Sequence, residues 1–222
     1  MQPTIWRDNW AGKVRTEDDF VRFIDAAGCC LRVPLPRYPD FPSQAEAMGA
    51  QYSLENTWFW KDDLHIDKRI YYSTVFGGKP GFLSNALLPT LIATNGAAAD
   101  ELLYRGGMSP GAQELYRIIQ ESGPINIKNL KRQLTPDILR GADNALGELE
   151  RQFIITKVGI TGRTRGTYGF IWDTVERWLP ASLTAADQLG RAAAETQLRD
   201  LLSNYGIPAD SQFYQKVLRW ER

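Results

Sequence analysis

The stretch TPDILRGADNALGELERQFIITKVGITGRTRGTYGFIW, residues 135–172, contains the change of periodicity that decides the fold. Thr135, Pro136 and Asp137 place an N-cap, an N1 proline and an acid for the positive helix end in consecutive positions, so a helix is predicted to start here. On a helical wheel Leu139, Ala142, Leu146, Leu149 and Phe153 fall on one face, the expected core side, and the helix runs to about Gln152. Ile154 to Ile160 then has strand composition, Gly162-Arg163-Thr164-Arg165-Gly166 reads as a turn, and Thr167 to Trp172 reads as the returning strand.

Working upstream, Ser109 with Pro110 is another N-cap and N1 pair, and Leu115, Ile118 and Ile119 form a stripe that stops at Gly123-Pro124. Asn126 caps a shorter helix carrying Leu130 and Leu134. The order helix, helix, helix, hairpin is that of a winged helix, predicted over residues 108–178 with a short helical exit from Asp173 to Leu179. The expected fold class is therefore α+β, mostly helical, with winged-helix units (helix-turn-helix plus β-hairpin wing), at least one of them complete.

Residues 1–107 read as a helical region with a small sheet. Thr16 caps a helix with Glu17, Asp18 and Asp19 in its first turn and Phe20, Phe23, Ile24 and Ala27 on its apolar face, ending at Gly28. Cys29 to Val33 suits a short strand, Pro34, Pro36, Pro39 and Pro42 forbid regular structure after it, and Ser43 caps a short helix through Met48. Arg69 to Phe76, then Gly77-Gly78 before Phe82 and Leu83, suits a β-hairpin, and a helix from Asn85 to Asn95 follows. Residues 179–222 read as C-terminal helices or a truncated winged-helix unit, with one amphipathic helix over Thr184–Tyr205 and a last one between Asp210 and Arg222.

Composition narrows the chemistry. With 43% apolar and 11% aromatic residues among 222, the chain has enough side-chain area for a core. Lys and Arg number 26, as do Asp and Glu, so any basic surface is local. The only cysteines, Cys29 and Cys30, are adjacent and cannot staple distant segments, which favours a reducing, cytoplasmic setting. Met1 to Trp10 lacks an apolar signal core, and no run approaches the roughly 18 apolar residues of a span, so neither a signal peptide nor a membrane partner is expected. With His65 as the single histidine, a Cys/His zinc site, a Ser-His-Asp triad of the usual kind and any metal or cofactor are not expected.

The polar face of the third helix carries Arg140, Asn144, Gly147 and Arg151, with Asp143 and Glu148 at its flanks. Arg and Asn reach phosphates or base edges, and a glycine lets a helix backbone approach DNA. Arg163 and Arg165, at the hairpin tip, project the same way if the tip stays extended. Arg140, Asn144, Arg151, Arg163 and Arg165 are therefore the candidate DNA-binding residues, although residues 108–178 hold only ten Lys or Arg against eight Asp or Glu. The alternative is a regulator whose helix-hairpin surface meets a protein partner, marked by an apolar patch at Trp58, Trp60 and Trp178. In Thr57-Trp58-Phe59-Trp60-Lys61-Asp62-Asp63, Trp58 and Trp60 are candidates for stacking an extruded base, and Asp62 or Asp63 for activating water. Aromatics so close together also suit a core or an interface, and His65 and the two cysteines read as packing residues.

TWFWKDD (Thr57–Asp63), YYSTVFGGKPGFLS (Tyr71–Ser84) and LGELERQFIITKVGI (Leu146–Ile160) resemble the AlkZ-related proteins, of the winged-helix superfamily that includes the AlkZ/YcaQ-like DNA glycosylases. The resemblance runs from about Glu17 to the C-terminus. It implies tandem winged-helix units around a concave DNA-binding surface and, where activity is present, metal-free hydrolysis of the glycosidic bond of alkylated or crosslinked purines. It also implies a Gln-x-Gln or Gln-x-Asp pair shortly after the first helix, to position and activate water. Here Gly28-Cys29-Cys30-Leu31-Arg32-Val33-Pro34 contains no Gln and no acid, and Arg32 adds positive charge. The local lookalike is Gln44-Ala45-Glu46. A DNA-binding protein that has lost the catalytic motif is the expectation, with an active base-excision glycosylase using other carboxylates as the alternative.

Overall fold

Local capping sets the first elements. The computed structural model describes residues 5–220; residues 1–4 of the predicted N-terminal stretch, and the Arg222 end of the last predicted helix, lie outside them. After α1 (Ile5–Trp10), Thr16 starts α2 (Glu17–Ala27) through a reciprocal capping box. Its hydroxyl accepts from the Asp19 N–H at 3.1 Å, and the Asp19 carboxylate accepts from the Thr16 N–H at 3.1 Å. The face that α2 buries is Phe20, Phe23, Ile24 and Ala27. β1 (Cys29–Leu31), α3 (Gln44–Met48, capped by Ser43), α4 (Trp60–Ile66), β2 (Tyr71–Phe76), β3 (Lys79–Leu83) and α5 (Leu88–Asn95) follow. The strands form an antiparallel sheet in the order β1-β3-β2, with Cys30 and Tyr72 both opposite Phe82. α5 starts later than the sequence predicts because Asn85 turns its amide to the Lys68 carbonyl (2.8 Å) and the Ser84 hydroxyl takes the Leu87 N–H (3.1 Å).

The second unit, residues 95–185, opens with α6 (Ala99–Arg105) and α7 (Pro110–Ser122), the latter capped by the Ser109 hydroxyl as predicted. β4 (Ile125–Asn126), α8 (Ile127–Arg132), α9 (Pro136–Arg151), β5 (Ile155–Ile160), β6 (Phe170–Thr174) and α10 (Val175–Trp178) complete a winged helix. β4, which sequence reasoning did not foresee, joins the wing in an antiparallel sheet ordered β4-β6-β5. Ala112, Leu115, Ile119, Leu130, Ala142, Leu149 and Ile155 lie in its core.

Two details of α9 differ from the wheel. Thr135 occupies the N-cap without a side-chain bond, leaving Pro136 and Asp137 as the start signal. Leu139 is 42% exposed, because the buried stripe begins at the partly buried Ile138 and continues through Ala142, Ala145, Leu146 and Leu149. The helix ends with Phe153 at φ 56°, its N–H on the Glu150 carbonyl and the Ile154 N–H on Leu149, a closure usually given to glycine and here held by a buried ring.

The predicted continuous helix over Thr184–Tyr205 is two helices, α11 (Pro180–Leu189) and α12 (Arg191–Ser203). Gly190, at φ 71° and ψ 153°, breaks the helical path in a conformation L side chains rarely adopt. α13 (Phe213–Lys216) is shorter than predicted. Residues 186–222 cluster with residues 1–94 as one unit. Phe41 packs against Phe76, Tyr205 and Phe213 at centroid distances of 5.5, 5.9 and 5.6 Å, and the buried Tyr205 hydroxyl donates to the Ala27 carbonyl at the end of α2.

Candidate functional site

On α9, Arg140 and Asn144 are exposed, whereas Gly147 and Arg151 are half-buried. The Arg151 guanidinium lies over Gly147 so closely that a Cβ there would sit 2.9 Å from Nη1. Acids of α9 engage two of the nearby basic groups: Arg140 pairs with Asp137 on the same helix, and Lys131 Nζ, on α8, reaches Asp143 at 2.7 Å. Glu148 is tied elsewhere, accepting from the Ser109 N–H (2.9 Å) and hydroxyl (2.6 Å), so it fastens α9 to the N-terminus of α7.

Arg163 and Arg165 are exposed in the wing, beyond the last ladder pair Ile160–Phe170. The tip is not extended: the Thr167 and Tyr168 N–H groups both return to the Thr164 carbonyl, at 3.0 and 2.8 Å. The premise for the two arginines projecting together therefore fails, because the turn closes on its own backbone. Lys128 and Arg132, both exposed on α8, were not among the sequence candidates. Their i, i+4 spacing on a capped helix was the available signal.

In the first unit, α4 begins within the aromatic run. Trp60 packs on Phe20 at 5.9 Å, a structural placement, while Trp58 is 41% exposed. Arg32 Cζ and Lys61 Nζ lie 5.1 and 4.7 Å from the Trp58 ring centroid, so two cations already engage the aromatic that sequence reasoning offered to a base. Lys61 and Asp62 are 2% and 3% exposed, and Lys61 Nζ donates to both Asp62 oxygens at 2.7 Å. Asp63 faces a different neighbourhood. Burial first, and then the negative charge of Asp63, hold the Glu17 carboxyl above its usual range. Of the two candidate carboxylates, Asp62 is thus engaged by a lysine, while Asp63 adds negative charge near Glu17.

Arg32 is 7% exposed, and its Nε and Nη2 are buried without a hydrogen-bond partner. Gln44 is fully buried, with neither amide atom bonded, whereas Glu46 accepts from the Ser43 hydroxyl (2.7 Å) and Arg7 (3.0 Å). His65 is buried, and its Nδ1 accepts the Tyr72 N–H at 3.0 Å, a packing role. Burial pushes both the Cys29 and Cys30 thiols up, disfavouring the reactive thiolate. Trp178, in the second unit, is half-buried. Among the described residues, no helix is long and apolar enough to cross a membrane, and no group of three or more His, Cys, Asp or Glu is placed to hold a metal ion.

No curated protein and no solved structure matches the chain. The family model described as AlkZ related matches residues 14–219, taking in the capped α2, the Arg32–Trp58–Lys61 cluster and the whole winged helix. With that match over most of its length, the chain belongs to the AlkZ-related family.

Proposed function

We propose that this relative of the DNA glycosylases binds DNA through its winged helix, chiefly by phosphate contacts from Arg140, Asn144, Arg151, Arg163 and Arg165. The observation that carries the reading is that Arg163 and Arg165 on the closed wing and Arg140 and Asn144 on α9 are all exposed. Guanidiniums make charge-assisted, bidentate bonds to phosphate oxygens, and a structured hairpin leaves only side-chain freedom to be lost on binding. Asp137 and Asp143 offset part of the positive charge on and next to α9, and the exposed Lys128 and Arg132 add to it. Fluorescence anisotropy with a labelled duplex at increasing salt tests this: affinity falls steeply, and Arg163→Ala with Arg165→Ala lowers the log–log slope by up to about two. Binding independent of salt, or none at low salt, overturns it.

The same reading holds that the chain is not an efficient glycosylase, because residues 28–34 offer no group to align water and Asp62 is engaged by Lys61 through both oxygens. The orphan Gln44 amide favours an active enzyme as the second reading. Incubation with DNA bearing N7- or N3-alkylpurines, followed by measurement of abasic sites, separates them. No turnover is expected; turnover lost in Asp62→Asn or Asp63→Asn establishes the glycosylase.

A further inference from the structure

The interior of the first unit carries an unbalanced positive charge. Lys61 is matched by Asp62, but Arg32, against the same Trp58 ring, has its Nε and Nη2 buried and unbonded. These two atoms form one edge of the guanidinium, the fork that grips two oxygens of a planar or tetrahedral oxyanion. A buried charge whose donors meet no protein acceptor is strongly unfavourable, so a fork held this way suits an anionic guest. The segment bonded to the Arg32 backbone supplies a second orphan: Ala45 N–H donates to the Arg32 carbonyl at 3.2 Å, and the preceding residue is Gln44, with its buried, unpartnered amide. The partly exposed Trp58, whose ring Arg32 faces, places the cluster next to the surface.

We propose that Arg32 anchors an oxyanion site for a phosphoryl group, gripping two phosphate oxygens through Nε–H and Nη2–H, with the Gln44 amide as a second donor. The phosphoryl group belongs to a nucleic-acid backbone or to a small phosphorylated ligand. Both present the same oxygens, and the site lies wholly within the first unit, so it does not depend on the wing.

The probe is inorganic phosphate, titrated into the full chain at constant ionic strength with chloride as control, read by melting temperature and by the NMR resonance of the Arg32 side-chain Nε–H. Phosphate is expected to raise the melting temperature and move that resonance. Arg32→Met abolishes the rise while melting no lower than wild type in phosphate-free buffer, and Arg32→Lys, keeping the charge but losing the fork, weakens binding at least about tenfold. The resonance reports on wild type alone, so a poorly folding variant does not blunt the test. Competition by a short single-stranded oligonucleotide assigns the phosphoryl group to nucleic acid, and its failure to compete assigns it to a small ligand. Phosphate without effect on either readout, or an equal rise in wild type and Arg32→Met, overturns the proposal; retention of phosphate binding in Arg163→Ala with Arg165→Ala keeps it separate from the wing.

Discussion

Lys61 in the first unit and Lys157 in the second are both buried, both bonded to a carboxylate and both set against aromatic rings. Lys157, on β5, pairs with Glu150 on α9 and lies 5.1 Å from the ring centroids of Phe170 and Trp172, so the pair ties the third helix to both wing strands. Lys61 pairs with its neighbour Asp62 on α4 and lies near Trp58 and Tyr72, with Arg32 crowding the same Trp58 ring. Trp172 is buried and Trp58 is not. One arrangement thus closes a core, and the other leaves surplus positive charge at a partly open edge. A buried lysine–carboxylate pair does not by itself mark a site; what distinguishes the two is the cation left over.

The comparison breaks most visibly at Glu150. Glu150→Ala strands the Lys157 ammonium in the wing and is expected to cost about 3–5 kcal/mol in urea denaturation, with Glu150→Leu plus Lys157→Met recovering most of it. A cost near zero for the single change would show that water already solvates Lys157. Next comes the apolar contribution to the same seam: Leu149→Ala is expected to lose about 2–5 kcal/mol, while the exposed Leu139→Ala stays within about 0.5 kcal/mol. Equal losses would restore Leu139 to the core.

Asp62→Asn sharpens the other side. It leaves two cations beside Trp58, but the asparagine amide oxygen can still accept from Lys61, whereas Glu150→Ala removes the acceptor altogether, so the expected loss is about 1–3 kcal/mol, smaller than at Glu150. A loss exceeding that of Glu150→Ala would show that the Asp62 charge, not its acceptor oxygen, is what Lys61 requires. The smallest effect lies at the surface. The Arg22 side chain, with the Arg15 and Thr16 N–H groups, holds the Asp19 carboxyl down to about 2. Because this lies below the roughly 3.9 of an unfolded aspartate, the contribution of Asp19 is fully present above about pH 4 and lost as pH falls through the folded value. Stability curves of wild type and Asp19→Asn, followed by circular dichroism, should therefore differ above pH 4 and converge toward pH 2.

Caps were the most legible features. Thr16, Ser43, Ser109 and Asn126 each bond a backbone N–H three residues ahead, as their sequence context predicts. The helix-helix-helix-hairpin order was equally plain, because a switch from helical to strand periodicity shows within one window. The break at Gly190 is hidden in sequence since amphipathic spacing continues on both sides of it, and the closed wing tip is hidden because its threonines bond across the turn. Arg32 stood out in sequence only as a departure from a catalytic motif, and nothing local disclosed that its fork is buried.

The sequence by itself determined the elements and their starts, because a cap or a turn is completed by atoms within a few residues and few alternatives compete. Only the tertiary structure decided which charges are buried and which of them find partners. Tyr205 reaches Ala27 across 178 residues, and the Arg32 guanidinium meets Trp58 from another element. Such encounters depend on chain closure and on desolvation, which strengthens every charge interaction it permits and leaves an unmatched fork no solvent to fall back on.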